Sequence, residues 1–401
     1  MKKLTLAEWE KHYIAEPLTQ FDQIHTMTRR VYADRQMKEL LESLSDPVTY
    51  NDKPGFFQKE YAVRWAPRYL HAQIAELNNS KVNPSQLSVT ISKIIQESKG
   101  ALSYVPGEVK DKHHDTPENA AGLVKKIAKF YGADLVGIAP LQDRWIYSHT
   151  CERTEGGSSY TYEKQDIPEE IKYTVVMGFA PGYNILKYAR TYIAGAGHDE
   201  ASTRMVVTSA LMTQFLQNLG YKAIDCNIDD VVISVPLAML AGLGQLGRHG
   251  MLITPQFGPR IRLGVVLTSL PVSIDTPIDF GVTEFCGVCK KCARMCPSQS
   301  IPFGERNTVP NNISNAPGGI KWYHNAATCR IRAVTHKYPC STCITVCPYN
   351  KPDTLFHQAV RWFTDHARWG DRFYSWMDDF CGYGKVKKPD NFWNEWRPED
   401  K

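Results

Sequence analysis

A chain of 401 residues can hold a sizeable core and two intimately packed units, which excludes a small stand-alone electron carrier. Its 43% hydrophobic and 22% charged composition is that of a soluble globular protein, and a net charge of +5 is too mild to indicate a dedicated nucleic-acid surface. No run reaches the roughly 20 apolar residues of a membrane span, and neither Met1-Lys2-Lys3-Leu4 nor Arg29-Arg30 leads into an export signal, so the sequence predicts a cytoplasmic protein without a transmembrane segment.

Residues 1–115 read as an extension of helices and loops. Tyr32 to Leu44 has a helical pattern, and Pro47, Pro54 and Pro84 mark loops. Phe56, Phe57, Tyr61, Trp65, Tyr69 and Tyr104 are aromatics whose commoner use is core filling. Between 116 and 275 helix and strand patterns alternate. Ala120 to Tyr131 has helical apolar spacing closed by Gly132, and Asp134 to Pro140 reads as a buried strand. Tyr173 to Ala180 is a second strand. Thr203 to Asn218 is an amphipathic helix carrying Val207, Leu211 and Phe215, with Leu219 beyond them and Gly220 as the stop. Lys222 to Cys226 and Arg262 to Leu267 are short strands. The pattern predicts an α/β (α+β) layered arrangement with a mixed sheet.

The stretch Ile233 to Arg260 places Gly242, Gly244, Gly247 and Gly250 within nine residues. Gly242-x-Gly244-x-x-Gly247 matches the dinucleotide fingerprint only in spacing, because the glycines follow a helical Pro-Leu-Ala-Met-Leu-Ala and no acidic residue lies about 20 positions on. The glycines instead imply close approach of the backbone to something flat or bulky, with a tight helix crossing as the structural alternative.

The segment 276–352 carries the clearest signal. Cys286-x2-Cys289-x2-Cys292-x3-Cys296-Pro297 is the bacterial ferredoxin pattern, and Cys329, Cys340-x2-Cys343-x3-Cys347-Pro348 repeats it with a longer first gap. Three closely spaced thiolates hold three irons of one [4Fe–4S] cube, and the cysteine before proline reaches the other cube. The expected ligand sets are therefore Cys286, Cys289, Cys292, Cys347 and Cys296, Cys329, Cys340, Cys343. Zinc also takes Cys-x2-Cys pairs but asks for no crossed fourth ligand. Of eleven cysteines, Cys151, Cys226 and Cys381 remain, and these read as small buried hydrophobes. Residues 353–401 form a wrapping tail, with a helix expected from Thr354 to His366 and with Trp362, Trp369, Trp376, Trp393 and Trp396 packing it; Trp376 or Phe380 stands where a pocket roof is wanted.

Together Gly132 to Pro140, Asp143-Arg144-Trp145, Ile233 to Arg260, Phe285-Cys286, Lys321-Trp322, Pro339-Cys340 and Asn350-Lys351 resemble the corrinoid iron–sulfur reductive dehalogenases over about residues 115–355. The resemblance implies a nitroreductase-like core holding base-off cobalamin, a two-cluster ferredoxin-like segment, and removal of halide from an organohalide. The family's corrin contacts fall on Ser234, Leu237, Gly242, Gly244, Gly247, Arg248, Thr254, Phe257 and Gly258, and, from the cluster side, on Trp322, Tyr323, Ser341, Asn350 and Lys351. No histidine stands in a D-x-H-x-x-G context, so a protein histidine ligand to cobalt is not expected. Arg260 matches the family's basic residue beside the substrate. Ser202 occupies the position of the usual tyrosine proton donor, leaving Tyr192, His198, Arg204 or Tyr323 as replacements, with Asn227 or Asp229 as the supporting residue. The implied partners are a small organohalide and a ferredoxin, flavodoxin or other low-potential donor. The related epoxyqueuosine reductases, which act on tRNA, and a non-catalytic electron-transfer protein are the alternatives.

Overall fold

In the computed structural model the described residues are 1–44, 48–79, 111–153, 159–226, 231–352, 354, 357, 368–390 and 392–397. Tyr104, Pro47, Pro84, Asn227, Asp229, Trp362 and most of the expected 354–366 helix lie outside them.

The N-terminal residues build into the same core as the later chain. Strand β1 (Lys2–Lys3) pairs antiparallel with a strand at Ile278–Asp279, and Trp9, on helix α1 (Leu6–Tyr13), packs edge-on against Trp145 at 6.2 Å. Helix α1 begins in a complete capping box between Thr5 and Glu8. The helical stretch expected from Tyr32 is two helices, α2 (Met27–Ala33) and α3 (Arg35–Leu44). The break falls at Asp34, whose carboxylate binds Arg30 on one side and accepts the Met37 N–H on the other. Helix α4 (Gln58–Asn79) runs along the long central helix described below. Phe56 and Tyr61 pack on Tyr192, at 4.8 and 6.1 Å, and Trp65 on Tyr61, so these aromatics fill space as expected.

Helix α5 (Pro117–Phe130) is N-capped by Thr116 with Pro117 at its first turn, and leads through Gly132, at φ +112°, into strand β2 (Leu135–Pro140). A hairpin of β3 (His149–Arg153) and β4 (Tyr160–Lys164) follows, then β5 (Tyr173–Phe179). After a short helix α6 (Tyr183–Leu186), helix α7 runs from Tyr192 to Asn218, 27 residues and about 40 Å. It starts eleven residues before the expected Thr203. Gly195 and Gly197 hid this start by lowering helix propensity, yet both are needed. A β-carbon on Gly195 would lie 2.9 Å from the Arg64 side chain, and one on Gly197 would lie 2.9 Å from Ile185.

The sheet is completed by β6 (Ala223–Asp225) and, after helix α8 (Ser234–Leu240) and the small hairpin β7 (Gln245–Leu246) and β8 (Leu252–Ile253), by β9 (Arg262–Thr268). The strand order is β2-β5-β9-β6, and every pairing is antiparallel, not mixed. The expectation failed because continuous apolar strands usually signal a parallel sheet covered on both faces. Here both faces of an antiparallel sheet are covered. Val175, Met177 and Val266 face Val124 and Ala128 of α5 and Met205 and Leu216 of α7, while Val176, Val265 and Leu267 face Trp9, Trp145 and Leu237.

The glycines after α8 serve the chain's own packing. A β-carbon on Gly242 would lie 2.5 Å from the Thr276 carbonyl oxygen, and one on Gly244 would lie 2.1 Å from that of Ile253. The bulky neighbour expected from the sequence is, at these two positions, protein backbone. Gly244→Ala is therefore expected to cost about 3 kcal/mol or more, read as a lowered denaturant midpoint; an unchanged midpoint would show that the β7–β8 hairpin yields freely.

Beyond β10 (Ile278–Asp279) lie α9 (Val282–Cys289), α10 (Lys291–Met295), α11 (Ala326–Thr335) and α12 (Thr342–Thr345), which carry Cys286, Cys289, Cys292, Cys329 and Cys343 and are flanked by Cys296, Cys340 and Cys347. In the tail Trp393 and Trp396 pack on Phe392, as expected. Trp369, Phe373, Trp376 and Phe380 are exposed, Trp369 by 90%, and Phe373, Trp376 and Phe380 pack on one another along the outer side of their helix. Helix α13 (Asp371–Phe380) turns its polar side inward because Asp378 is buried between Lys291 and Lys351.

Candidate functional site

The cysteine segment is locked by two residues in the left-handed region. Lys290, at φ +51°, joins α9 to α10, and Ser341, at φ +46°, opens α12. Each directly follows the second cysteine of its run, Cys289 or Cys340, and each folds the chain back so that the next cysteine turns toward the others. Both are non-glycine residues in a sparsely used conformation, held by their surroundings.

All eleven thiols are free of disulfides. Eight of them sort by electrostatic proximity into two quartets. Cys347 interacts with Cys286, Cys289 and Cys292, whereas Cys343 interacts with Cys296, Cys329 and Cys340. Cys292 also senses Cys343, which sets the quartets side by side. Cys286, Cys289, Cys292 and Cys347 line one small cavity with Phe285 and Tyr349. Among the described residues no three His, Cys, Asp or Glu side chains converge closely enough to hold a single ion. The first quartet is buried throughout; in the second, Cys329 is exposed. Burial pushes Cys286 up to about 12, so without metal this thiol stays protonated. Cys296 Sγ accepts the Ser300 N–H at 3.3 Å, and Cys340 Sγ lies 3.2 Å from the Thr342 hydroxyl. The remaining cysteines Cys151 and Cys226 are buried, as expected, but Cys381 is exposed.

The glycine-rich stretch grips this segment. Arg248 is fully buried and donates to the carbonyls of Cys286, Pro302 and Gly304 at 2.8–2.9 Å, with its guanidinium 4.6 Å from the Trp322 ring centroid. With a fourth, longer bond to the Gly287 carbonyl at 3.4 Å, it ties the glycine-rich stretch to the cysteine segment. Gly258, at φ +57°, abuts Tyr349, whose carbonyl oxygen would lie 2.3 Å from a β-carbon there. Thr254 accepts the Phe257 N–H and closes the tight turn to Gly258. Leu237 is fully buried in the core, and Gly247 packs on Ile253.

A cavity of about 250 Å³ opens between the start of α8 and residues 314–324. Ile233, Val235 and Pro236, which flank Ser234, form one wall, and Lys321, Trp322, Tyr323 and His324 form another. Two stretches expected to meet one cofactor thus face each other. Trp9, Tyr13, Leu18 and Phe21 also line the cavity and were missed in the sequence, where only their aromatic and apolar spacing marked them. Lys321 is brought down to about 8 and His324 to about 4 by burial.

Along the seam with the cysteine segment several buried polar atoms have no hydrogen-bond partner among the described residues. They are both amide atoms of Asn350, Ser341 Oγ, Tyr349 Oη and His249 Nε2. Leaving such groups unsatisfied costs about 1–3 kcal/mol each, so they fit a large polar cofactor that would complete them. Lys351 pairs with Asp378.

The candidate donors do not share one environment. Tyr192 donates its hydroxyl to the Thr49 carbonyl at 2.8 Å, and Tyr323 to Gly319 at 2.8 Å. Arg204 is tied to Glu200, Asp134 and the Ala180 carbonyl, which makes it a brace between α7 and the sheet. Arg260 is buried, donates to the Pro181 carbonyl at 2.8 Å, and lies 5.7 and 5.2 Å from the rings of Tyr183 and Phe257. His198 sits one turn before Ser202, which donates to its carbonyl, and its Nδ1 has no hydrogen-bond partner among the described residues. Burial, aided by Arg262, pushes His198 down to about 3. The unfolded chain takes up a proton near pH 6.5 that folded His198 refuses, so stability is present above pH 6.5 and lost as the pH falls toward 3. His198→Gln is expected to flatten this acid limb in thermal melts between pH 7 and 4; an unaltered limb would place the lability elsewhere.

The fold and its paired cysteine runs define a class: a helix-covered antiparallel sheet carrying a double ferredoxin-type cysteine centre. No family model matches the chain. A solved structure described as the catabolic reductive dehalogenase NpRdhA aligns over 94% of this chain and 48% of its own, with a TM-score of 0.68 at 24% identity. In sequence the chain is 35% identical over 303 residues, 69% of its length, to the tetrachloroethene reductive dehalogenase of Sulfurospirillum multivorans. A shorter match, 35% over 129 residues or 31% of the chain, relates it to the epoxyqueuosine reductase of Listeria monocytogenes, 32% of which is covered. Over 69% of its length the chain is thus homologous, at 33–35% identity, to proteins named reductive dehalogenases. It spans 60% of the Sulfurospirillum protein's length. Among the described residues no helix is long and apolar enough to cross a membrane.

Proposed function

We propose that this chain is a cytoplasmic corrinoid-dependent reductive dehalogenase, with a nitroreductase-like cobalamin core at 116–275, a ferredoxin-like two-cluster segment at 276–352, and the extensions 1–115 and 353–401 wrapped on them. The observation that carries the reading is the sorting of eight thiols into the two crossed quartets, in a chain whose relatives are named for dehalogenation.

Cys286, Cys289, Cys292 and Cys347 would hold one [4Fe–4S] cluster and Cys296, Cys329, Cys340 and Cys343 the other. The backbone and side chains of Ser234, Thr254, Phe257, Gly258, Trp322, Tyr323, Ser341, Asn350 and Lys351 would bind base-off cobalamin, with Asn350 and Ser341 finding there the partners they lack. When bound, reduced cobalamin supplies a strong nucleophile and reductant for a carbon–halogen bond. The protein's part is to orient the organohalide, exclude water and manage charge. Arg260 holds a buried positive charge between Tyr183 and Phe257, suited to a departing halide. His198 stays neutral across the physiological range and offers substrate an imidazole N–H in place of the family's tyrosine. A ferredoxin, flavodoxin or similar low-potential donor supplies electrons.

The test is iron and cobalt analysis of protein purified without oxygen in the presence of cobalamin, followed by halide release from an organohalide panel under a chemical reductant. About eight irons and one cobalt per chain with halide release support the reading. Eight irons without cobalt would make the chain an electron-transfer protein.

A further inference from the structure

The two quartets differ in their access to solvent, and the difference has a direction. The first quartet and its surroundings are covered by Phe285, Trp322 and Tyr349. The second reaches the surface through Cys329, on helix α11, a helix with no buried residue. From Ala326 to Tyr338 the chain carries Arg330, Arg332, His336 and Lys337 and no carboxylate. Arg330, next to Cys329, is exposed, and Arg68 lies close enough for their charges to repel. Neither Arg330 nor Arg332 has a carboxylate partner among the described residues; on α3, which packs against α11, Arg35 is already neutralised by Glu39. A positive excess therefore sits where a cluster ligand meets water.

Charges left unpaired in one place do little for stability, but they steer and orient a partner of opposite sign. We propose that the exposed face of α11, centred on Cys329 and Arg330 with the half-buried Arg332 beside them, is the docking face for an acidic one-electron carrier protein of the ferredoxin class. This inference rests on the cluster assignment above. The step it serves is one-electron: the carrier is oxidised by one electron as the outer centre is reduced by one, and no bond forms or breaks. Docking over Cys329 would bring the carrier's own centre to the only quartet with an exposed ligand among the described residues.

The experiment titrates the intact chain with a labelled, oxidised, acidic [2Fe–2S] ferredoxin and follows anisotropy, so that binding is read without turnover. Binding is expected to weaken as salt rises, and the pair Arg330→Glu with Arg332→Glu to weaken it about ten-fold or more. Arg330→Lys with Arg332→Lys should retain it, and Lys126→Glu with Lys129→Glu on α5 should leave it unchanged. Iron content is measured on every variant. Affinity indifferent to salt in the wild type, or equal loss from the α5 and α11 reversals, overturns the proposal; so does a charge-reversed α11 protein of normal iron content and undiminished affinity. If the reversed pair lacks iron, the lysine pair and the wild-type salt dependence decide. A wild-type chain that takes up no iron defeats the cluster reading instead, and that result is separate from any of these.

Discussion

Cys347→Ser is expected to remove about four of about eight irons and to leave the same residual electron-paramagnetic signal as Cys286→Ser, although the two cysteines belong to different sequence runs. Cys347 follows Cys343 by one helical turn, yet its electrostatic neighbours are Cys286, Cys289 and Cys292. If ligands were allotted by run, Cys347→Ser would instead share its spectrum with Cys343→Ser. Paired substitutions sharpen the contrast, because residues acting on one centre are not additive. Cys286→Ser with Cys347→Ser should lose no more iron than either alone, whereas Cys296→Ser with Cys347→Ser should lose both sets. Equal losses from the two pairs would refute the crossed assignment.

Arg248→Leu is expected to destabilise the protein by about 3–5 kcal/mol and to reduce iron incorporation with it. The guanidinium has no exposed surface and spans four carbonyls from Cys286 to Gly304, so removing it strands all four. Arg248→Lys should recover little, since one ammonium cannot reproduce a planar fork that also stacks on Trp322. Denaturant titration of the metal-loaded proteins checks the first effect and iron analysis the second. A lysine variant as stable as the wild type would mean that charge alone, and not the fork, ties the two segments.

The parts of this molecule that were legible in the sequence are those fixed by local spacing. The two cysteine runs, helix α5 with its Thr116 cap and Gly132 exit, and the strands β2, β5 and β9 each announce themselves within a dozen residues. What stayed hidden depends on contacts far apart in the chain. The antiparallel order of the sheet was hidden because both of its faces are covered, and strand composition alone does not then distinguish it from a parallel sheet. The room that Gly195 and Gly197 leave is taken by Arg64 and Ile185, which come from elsewhere in the chain. Gly242 and Gly244 likewise serve Thr276 and Ile253. The tie made by Arg248 was hidden because its four carbonyl partners lie 38 to 56 positions away. The tail helix α13 shows the reverse error, since buried ion pairs, invisible to an aromatic count, decided which side faces outward.

The crossing of Cys296 and Cys347 between quartets also sets the smallest piece of this chain that can be exchanged with a relative. A chimera joined anywhere between Pro297 and Thr328 would give every quartet ligands from both parents, and each parent's left-handed Lys290 or Ser341 turn would have to match a foreign fourth cysteine. The segment is heritable only whole, together with Arg248 that fastens it, so recombination within the family is expected to place its joints before β7 or after Lys351.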